Sequence, residues 1–168
     1  SVKNIYLLFL IVFGFNIPVF AQVEPPLPSP CYSYGPGAKN NMTVTGSTTF
    51  TFNSIADFES PQSSNTITVN VESTLGYRLY IAGVVTAVSA SSTNDPIPVN
   101  AFSISSTNRG TSPASVTLSE SYMEVAYQGT RTSGTTHVLT ITRNALNDYK
   151  QAPGTHTLTL HIRYCQFL

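Results

Sequence analysis

"APGTHTLTLHIRYC", Ala152 to Cys165, lies almost at the end of the 168-residue chain and decides how the rest is read. After the Pro-Gly turn signal, polar and apolar residues alternate with a period of two. His156, Leu158, Leu160, Ile162 and Tyr164 fall on one face, and Thr155, Thr157, Thr159, His161 and Arg163 on the other. Successive side chains of an extended chain point to opposite sides, so this pattern is that of a strand with one face buried and one wet.

Working outward, the same rhythm recurs. "NTITVNVES" sets Ile67, Val69 and Val71 against Thr66, Thr68 and Asn70, and "GYRLYIAGVV" sets Tyr77, Leu79 and Ile81 against Arg78 and Tyr80. "TVTGSTTFTFNSI" places Phe50 and Phe52 together, opposite Thr49, Thr51 and Asn53. In "THVLTITRNA", Leu139 and Ile141 are read as inward, with Val138 and Thr140 on the other parity. β-Branched and aromatic residues dominate these runs, as suits a pleated, half-buried surface. "IPVNAFSIS" reads as a short strand, at an edge or entered from a turn, because Pro96 and Pro98 have no N–H for a ladder. "ASVTLSE" and "SYMEVAYQG" are one bent strand or two, and "NALNDYKQAPG" has room for a helical turn at Ala145 to Tyr149.

Seven to nine short strands separated by Gly, Pro, Asn and Ser predict an all-β fold, an antiparallel two-sheet sandwich of immunoglobulin-like or pilin-like type. About a dozen large apolar side chains, at roughly 1.5–3 kcal/mol each, suffice for one core.

The first residues set the compartment. "SVKNIYLLFLIVFGFNIPVFAQ" has one basic residue, Lys3, an apolar run from Ile5 to Phe15, and a short end at Val19, Phe20 and Ala21. That is the layout of a secretory signal peptide, 1–21, cut before Gln22. Asn16 and Pro18 break the run before the roughly 20 residues of a spanning helix, so no membrane span is expected after cleavage. Residues 22–41 form a Pro- and Gly-rich segment ("QVEPPLPSP", then "YSYGPGAKNN"), and 42–168 the sandwich domain. The expected location is exported: periplasm, cell surface or extracellular space.

Eight basic side chains less Lys3 leave seven against eight acidic ones, and only 10% of the chain is charged. This balance gives no footprint for nucleic acid. Cys31 and Cys165, near the two ends of the mature chain, are expected to be bridged in an oxidising compartment. Closing so long a loop is worth about 4–5 kcal/mol at most by chain entropy.

Chemistry is sparse. His156 and His161, five apart on one strand, point to opposite faces. His137 and His161 would meet only across adjacent strands, and neither has a Cys or carboxylate at ligand spacing, so no metal is assigned. No G-x-S-x-G occurs, and no Gly-rich phosphate loop leads from a strand into a helix. Asp57 with Glu59, and Glu120 with Glu124, are the nearest carboxylate pairs, but a glycosidase pair must face each other across a cleft. Neither catalytic residues nor a cofactor are assigned, and the chain is read as no enzyme. "Asn41-Met42-Thr43" fits a glycosylation acceptor by chance. Tyrosine is the more suggestive residue: exposed rings on a sheet stack on sugars, and Tyr77 and Tyr80 are the candidate ligand-binding pair.

At "FTFNSIADFES", "ITVNVESTLGYRLYIAG", "IPVNAFSIS" and "APGTHTLTLHIRY" the chain resembles bacterial exported sandwiches of the spore coat protein U type and related pilin-like domains, and more loosely the WxL surface domain. The likeness spans about Thr43 to Tyr164. It implies a structural or adhesive role at the cell surface, in a coat or fibre, with self-assembly or other surface proteins as partners. Two departures limit it. The chain has no tryptophan, so the peptidoglycan binding of WxL domains is not carried over. "QVEPPLPSP", with four prolines, makes a poor donor strand for a neighbour's sheet. The alternative reading is a carbohydrate-binding module using exposed tyrosines.

Overall fold

The computed structural model describes residues 25–28, 31, 40–46, 49–52, 59–63, 66–87, 97–146 and 154–167. The expected signal peptide, most of the Pro/Gly-rich segment, Asp57, and residues 147–149 of the expected helical turn lie outside them.

Among the described residues ten strands run in chain order: β1 (Asn41–Thr45), β2 (Thr49–Phe52), β3 (Gln62–Ser63), β4 (Ile67–Ser73), β5 (Gly76–Ala87), β6 (Phe102–Ser106), β7 (Val116–Thr117), β8 (Met123–Gln128), β9 (Thr132–Arg143) and β10 (Gly154–Phe167). They form two antiparallel sheets. The larger is ordered β1-β4-β9-β6-β7 with β3 also on β9, and the smaller β2-β10-β5-β8. The expected antiparallel sandwich is therefore present; β3 and β7 are two residues each, and the eight longer strands fall within the expected seven to nine.

The period-two runs bury the faces the sequence assigns. Ile67, Val69 and Val71 of β4, Tyr77, Leu79 and Ile81 of β5, and Leu139 and Ile141 of β9 are all buried in one cluster. On β10, Leu158 is buried, and Leu160, Ile162 and Tyr164 pack against the same core. This last strand closes the molecule's own smaller sheet, pairing with β5 from His156 to Phe167 and with β2 from Gly154 to Thr157.

The "IPVNAFSIS" strand is entered from a turn: a 3-10 turn spans Val99–Ala101, with the Ala101 N–H donating to Pro98 O at 2.9 Å, and β6 starts at Phe102. Both prolines precede the strand, so nothing bars β6 from pairing on both sides, and it lies between β9 and β7 rather than at an edge. "ASVTLSE" and "SYMEVAYQG" are two strands in different sheets, β7 in the larger and β8 in the smaller. Leu118, just after β7, drops into the core on the way across.

That crossing depends on Gly83 of β5. A Cβ there would lie 2.6 Å from Leu118 Cδ2 and 3.2 Å from Leu158 Cδ1, and the Gly83 N–H donates to Ser119 O at 2.9 Å. The missing side chain leaves the space that Leu118 fills, a close approach of the kind that puts glycine inside a strand. A bulge does the equivalent work on β8. Leu79 faces Ala126 while Tyr80 faces Glu124, so Val125 is the extra residue. Val125 and Ala126 are consequently both buried, and Glu124 turns outward.

Candidate functional site

The residues the sequence singles out do not form one site. Tyr77 is fully buried, its inward parity on β5 carrying the ring between the sheets. It has no face to offer a sugar, which corrects its reading as an exposed ligand-binding residue. Its hydroxyl lies 2.6 Å from His137 Nε2, and its ring meets Tyr164 edge to face at 6.1 Å. Because β5 and β9 belong to different sheets, this hydrogen bond ties the two layers through the core.

His137 Nδ1 lies 3.2 Å from Thr107 O, a carbonyl that only accepts. That contact fixes the tautomer: Nδ1–H donates to Thr107, and Nε2 accepts from the Tyr77 hydroxyl. Burial pushes the His137 pKa below its usual value, the Thr107 carbonyl partly opposing. Burial also raises the Tyr77 pKa, with a hydrogen bond to Thr135 opposing. Both groups are neutral at ordinary pH, a satisfied pair in a place where a charge would be costly. His161 is on β10 of the smaller sheet, so His137 and His161 are not on adjacent strands and do not meet as the sequence allowed.

Tyr80 is on the outer face of β5 and half-buried. A hydrogen bond with Tyr80, and Glu124 behind it, raise the pKa of the Arg78 guanidinium further. Arg78 also lies over the rings of Tyr127 and Phe167, 5.6 and 5.7 Å from their centroids, and those rings stack on each other at 5.3 Å. Its distance to Glu124 is 3.6 Å, and Glu124 accepts from the Ser112 hydroxyl at 2.7 Å. Tyr80 therefore belongs to a knit surface cluster in which rings and charges already face one another. Among the described residues no group of three or more His, Cys, Asp or Glu side chains converges as a metal would require.

Cys31 and Cys165 are bridged, with Cα atoms 4.9 Å apart. Beside the bridge, the buried amide of Gln166 donates to Asn40 Oδ1 at 2.9 Å and to the Ser73 hydroxyl at 2.7 Å. Asn40 Oδ1 also accepts from the Thr74 N–H at 3.0 Å. One covalent and several polar links thus hold the segment before β1 to the end of β10 and to the β4–β5 turn.

Two features escaped the sequence reading. Arg143 is fully buried at the end of β9, its guanidinium donating to Asn144 O at 2.9 Å and to Ser60 O. Its parity with Leu139 and Ile141 was the available signal. The second is a shallow cleft, wide open to solvent, of about 630 Å³, lined by Asn108, Gly110, Gln128, Gly134, Thr135 and Thr136. It gathers the loop after β6, the end of β8 and the start of β9, and no single run of sequence announces it.

The chain matches no protein-family profile, no curated protein and no solved structure.

Proposed function

We propose that this is a secreted or cell-surface β-sandwich with a structural or adhesive role, a component of a coat or fibre, and not an enzyme. The observation that carries the reading is the outer edge of β1. This strand ends the larger sheet, and among the described residues its outer side makes no hydrogen bond. "NMTVT" has no charge, proline or bulge, the devices that normally keep an edge strand from pairing with another chain. Met42 and Val44 lean on the core, while Asn41 and Thr45 are exposed, a five-residue template for a further strand.

Three things support export to the periplasm, cell surface or exterior. The leader has the layout of a signal peptide, the two cysteines are bridged, and no helix among the described residues is long and apolar enough to cross a membrane. The likeness to exported sandwiches of the spore coat protein U type points the same way.

Negative-stain microscopy of the mature chain from Gln22 tests the reading. Fibres or ordered oligomers are expected, and Thr43→Lys, which sets a charge on the open edge, should leave monomers. A chain that stays monomeric at every concentration, in the wild type as in the variant, sinks it. The alternative, a carbohydrate-binding module using exposed tyrosines, loses Tyr77 to the core and keeps only Tyr80, whose partner is Arg78.

A further inference from the structure

We infer that the polar cleft at the mouth of the sandwich, between the loop after β6 and the β8–β9 end, binds an uncharged saccharide. The inference rests on the adhesive part of the reading above and names its ligand class, at a place distinct from the tyrosines.

The lining decides the chemistry. None of its six residues is charged or aromatic, and none has a large apolar side chain. An anion would need cationic side chains, and an apolar ligand needs apolar walls. Two amides that donate and accept, with the Thr135 and Thr136 hydroxyls as further acceptors because their protons go to the Thr132 hydroxyl at 2.9 Å and to Asn70 Oδ1 at 3.4 Å, match instead the paired donor and acceptor capacity of vicinal sugar hydroxyls. The Asn108 Nδ2 donates to Thr136 O at 2.7 Å, which leaves its Oδ1 without a partner among the described residues. The Gln128 amide makes no side-chain hydrogen bond among the described residues. Both are therefore available to a ligand.

The walls are fixed before any ligand arrives. Asn108 holds a left-handed backbone at φ 51°, and Gly110 at φ 60°, where any Cβ would run into Tyr127 O. Arg109 O accepts from the Tyr127 N–H at 3.0 Å and from the Ser112 N–H at 3.1 Å. On the other side the Thr107 N–H donates to Val138 O at 3.1 Å, and the Val138 N–H to the Thr107 hydroxyl at 2.8 Å. Asn and Gly are the residue types that take a left-handed backbone readily, and the hydrogen bonds on both sides hold this turn in one shape. A rigid site loses little entropy on binding. With no ring to stack on, affinity should be weak, with Kd of the order of millimolar.

The test is a ¹H–¹⁵N titration of the mature protein with the methyl glycosides of glucose, galactose, mannose and N-acetylglucosamine. At least one should give saturable shifts at residues 108–110, 128 and 134–136. Gln128→Ala should weaken that binding about tenfold, through lost hydrogen bonds, while leaving the thermal midpoint unchanged. Glucuronate should bind no tighter than the neutral sugars. Absence of saturable shifts in the cleft with all of these glycosides would overturn the inference, as would equal binding by Gln128→Ala. So would shifts produced only by an acetylated Ser/Thr peptide amide, which would make the cleft a peptide site. Because assembly is read by microscopy and the cleft by titration, either reading can fail alone.

Discussion

At the scale of single residues, the Tyr77–His137 pair has a consequence for pH. In the unfolded chain His137 titrates near its ordinary value of 6.5, whereas burial lowers the folded value. Above about pH 6.5 both states hold a neutral ring, and the stability of the pair is fully present. As pH falls below the unfolded value, the unfolded chain takes up a proton that the folded core resists. Stability is lost between the unfolded and folded pKa values and levels off below the latter. Each pH unit in that window removes at most about 1.4 kcal/mol. Urea denaturation across this range should show the loss in the wild type, and His137→Gln should flatten it by that amount, although other groups keep titrating. Identical pH slopes in the two proteins would show that His137 is not the source. Arg143 illustrates the same inward parity. Both His137 and Arg143 share the face of Leu139 and Ile141, so the alternation that fixed the core also pointed to two polar residues in it. Composition argues that such residues sit outside; the carbonyls of Thr107, Ser60 and Asn144 are what reverse that, and no local pattern reveals them.

At the scale of elements, strands were legible wherever one face is buried and the other wet, as on β4, β5, β9 and β10. They were obscure where tertiary contacts rather than alternation set the element. The 3-10 turn at Val99–Ala101 and the two-residue β7 have too few residues to express a period. The β7–β8 crossing is governed by Gly83, whose role appears only once Leu118 is seen above it. Gly83→Ala pushes a methyl into the space of the Leu118 and Leu158 side chains and should cost about 1–3 kcal/mol by overpacking. Leu118→Ala alone should cost about 2–5 kcal/mol by opening a cavity. Since the added methyl occupies part of that cavity, the double variant should lose clearly less than the sum of the two, measured by chemical denaturation. Additive losses would mean that the two residues do not compete for one space. The cleft residues were the least legible of all. Asn108 and Gly110 carry an ordinary turn signal, and only the fold brings them to Gln128 and Thr135.

At the scale of the whole molecule, the Cys31–Cys165 bridge closes a loop across 134 residues of sequence, so its main effect is on the unfolded chain. A loop of that size loses enough freedom to destabilise the unfolded state by about 4–5 kcal/mol in the chain-entropy model. The polar clasp spans nearly the same two points, through Gln166, Asn40, Ser73 and Thr74, and needs no sulfur. The core is likewise independent of the bridge, since β10 is already held by β5 along twelve paired positions from His156 to Phe167. Replacing both cysteines by serine should therefore lower stability by about 2–5 kcal/mol without abolishing the fold. Hydrogen exchange offers the sharper check, because the loss belongs partly to global unfolding and partly to local release of the chain end. Amides of the central β5, β9 and β10 pairings should lose protection uniformly, by the global amount. The Thr74 amide, bonded to Asn40, should lose more, since its acceptor lies on the segment the bridge no longer holds. If Thr74 instead falls only in step with the core, the clasp alone anchors the segment, and the disulfide acts solely on the unfolded chain.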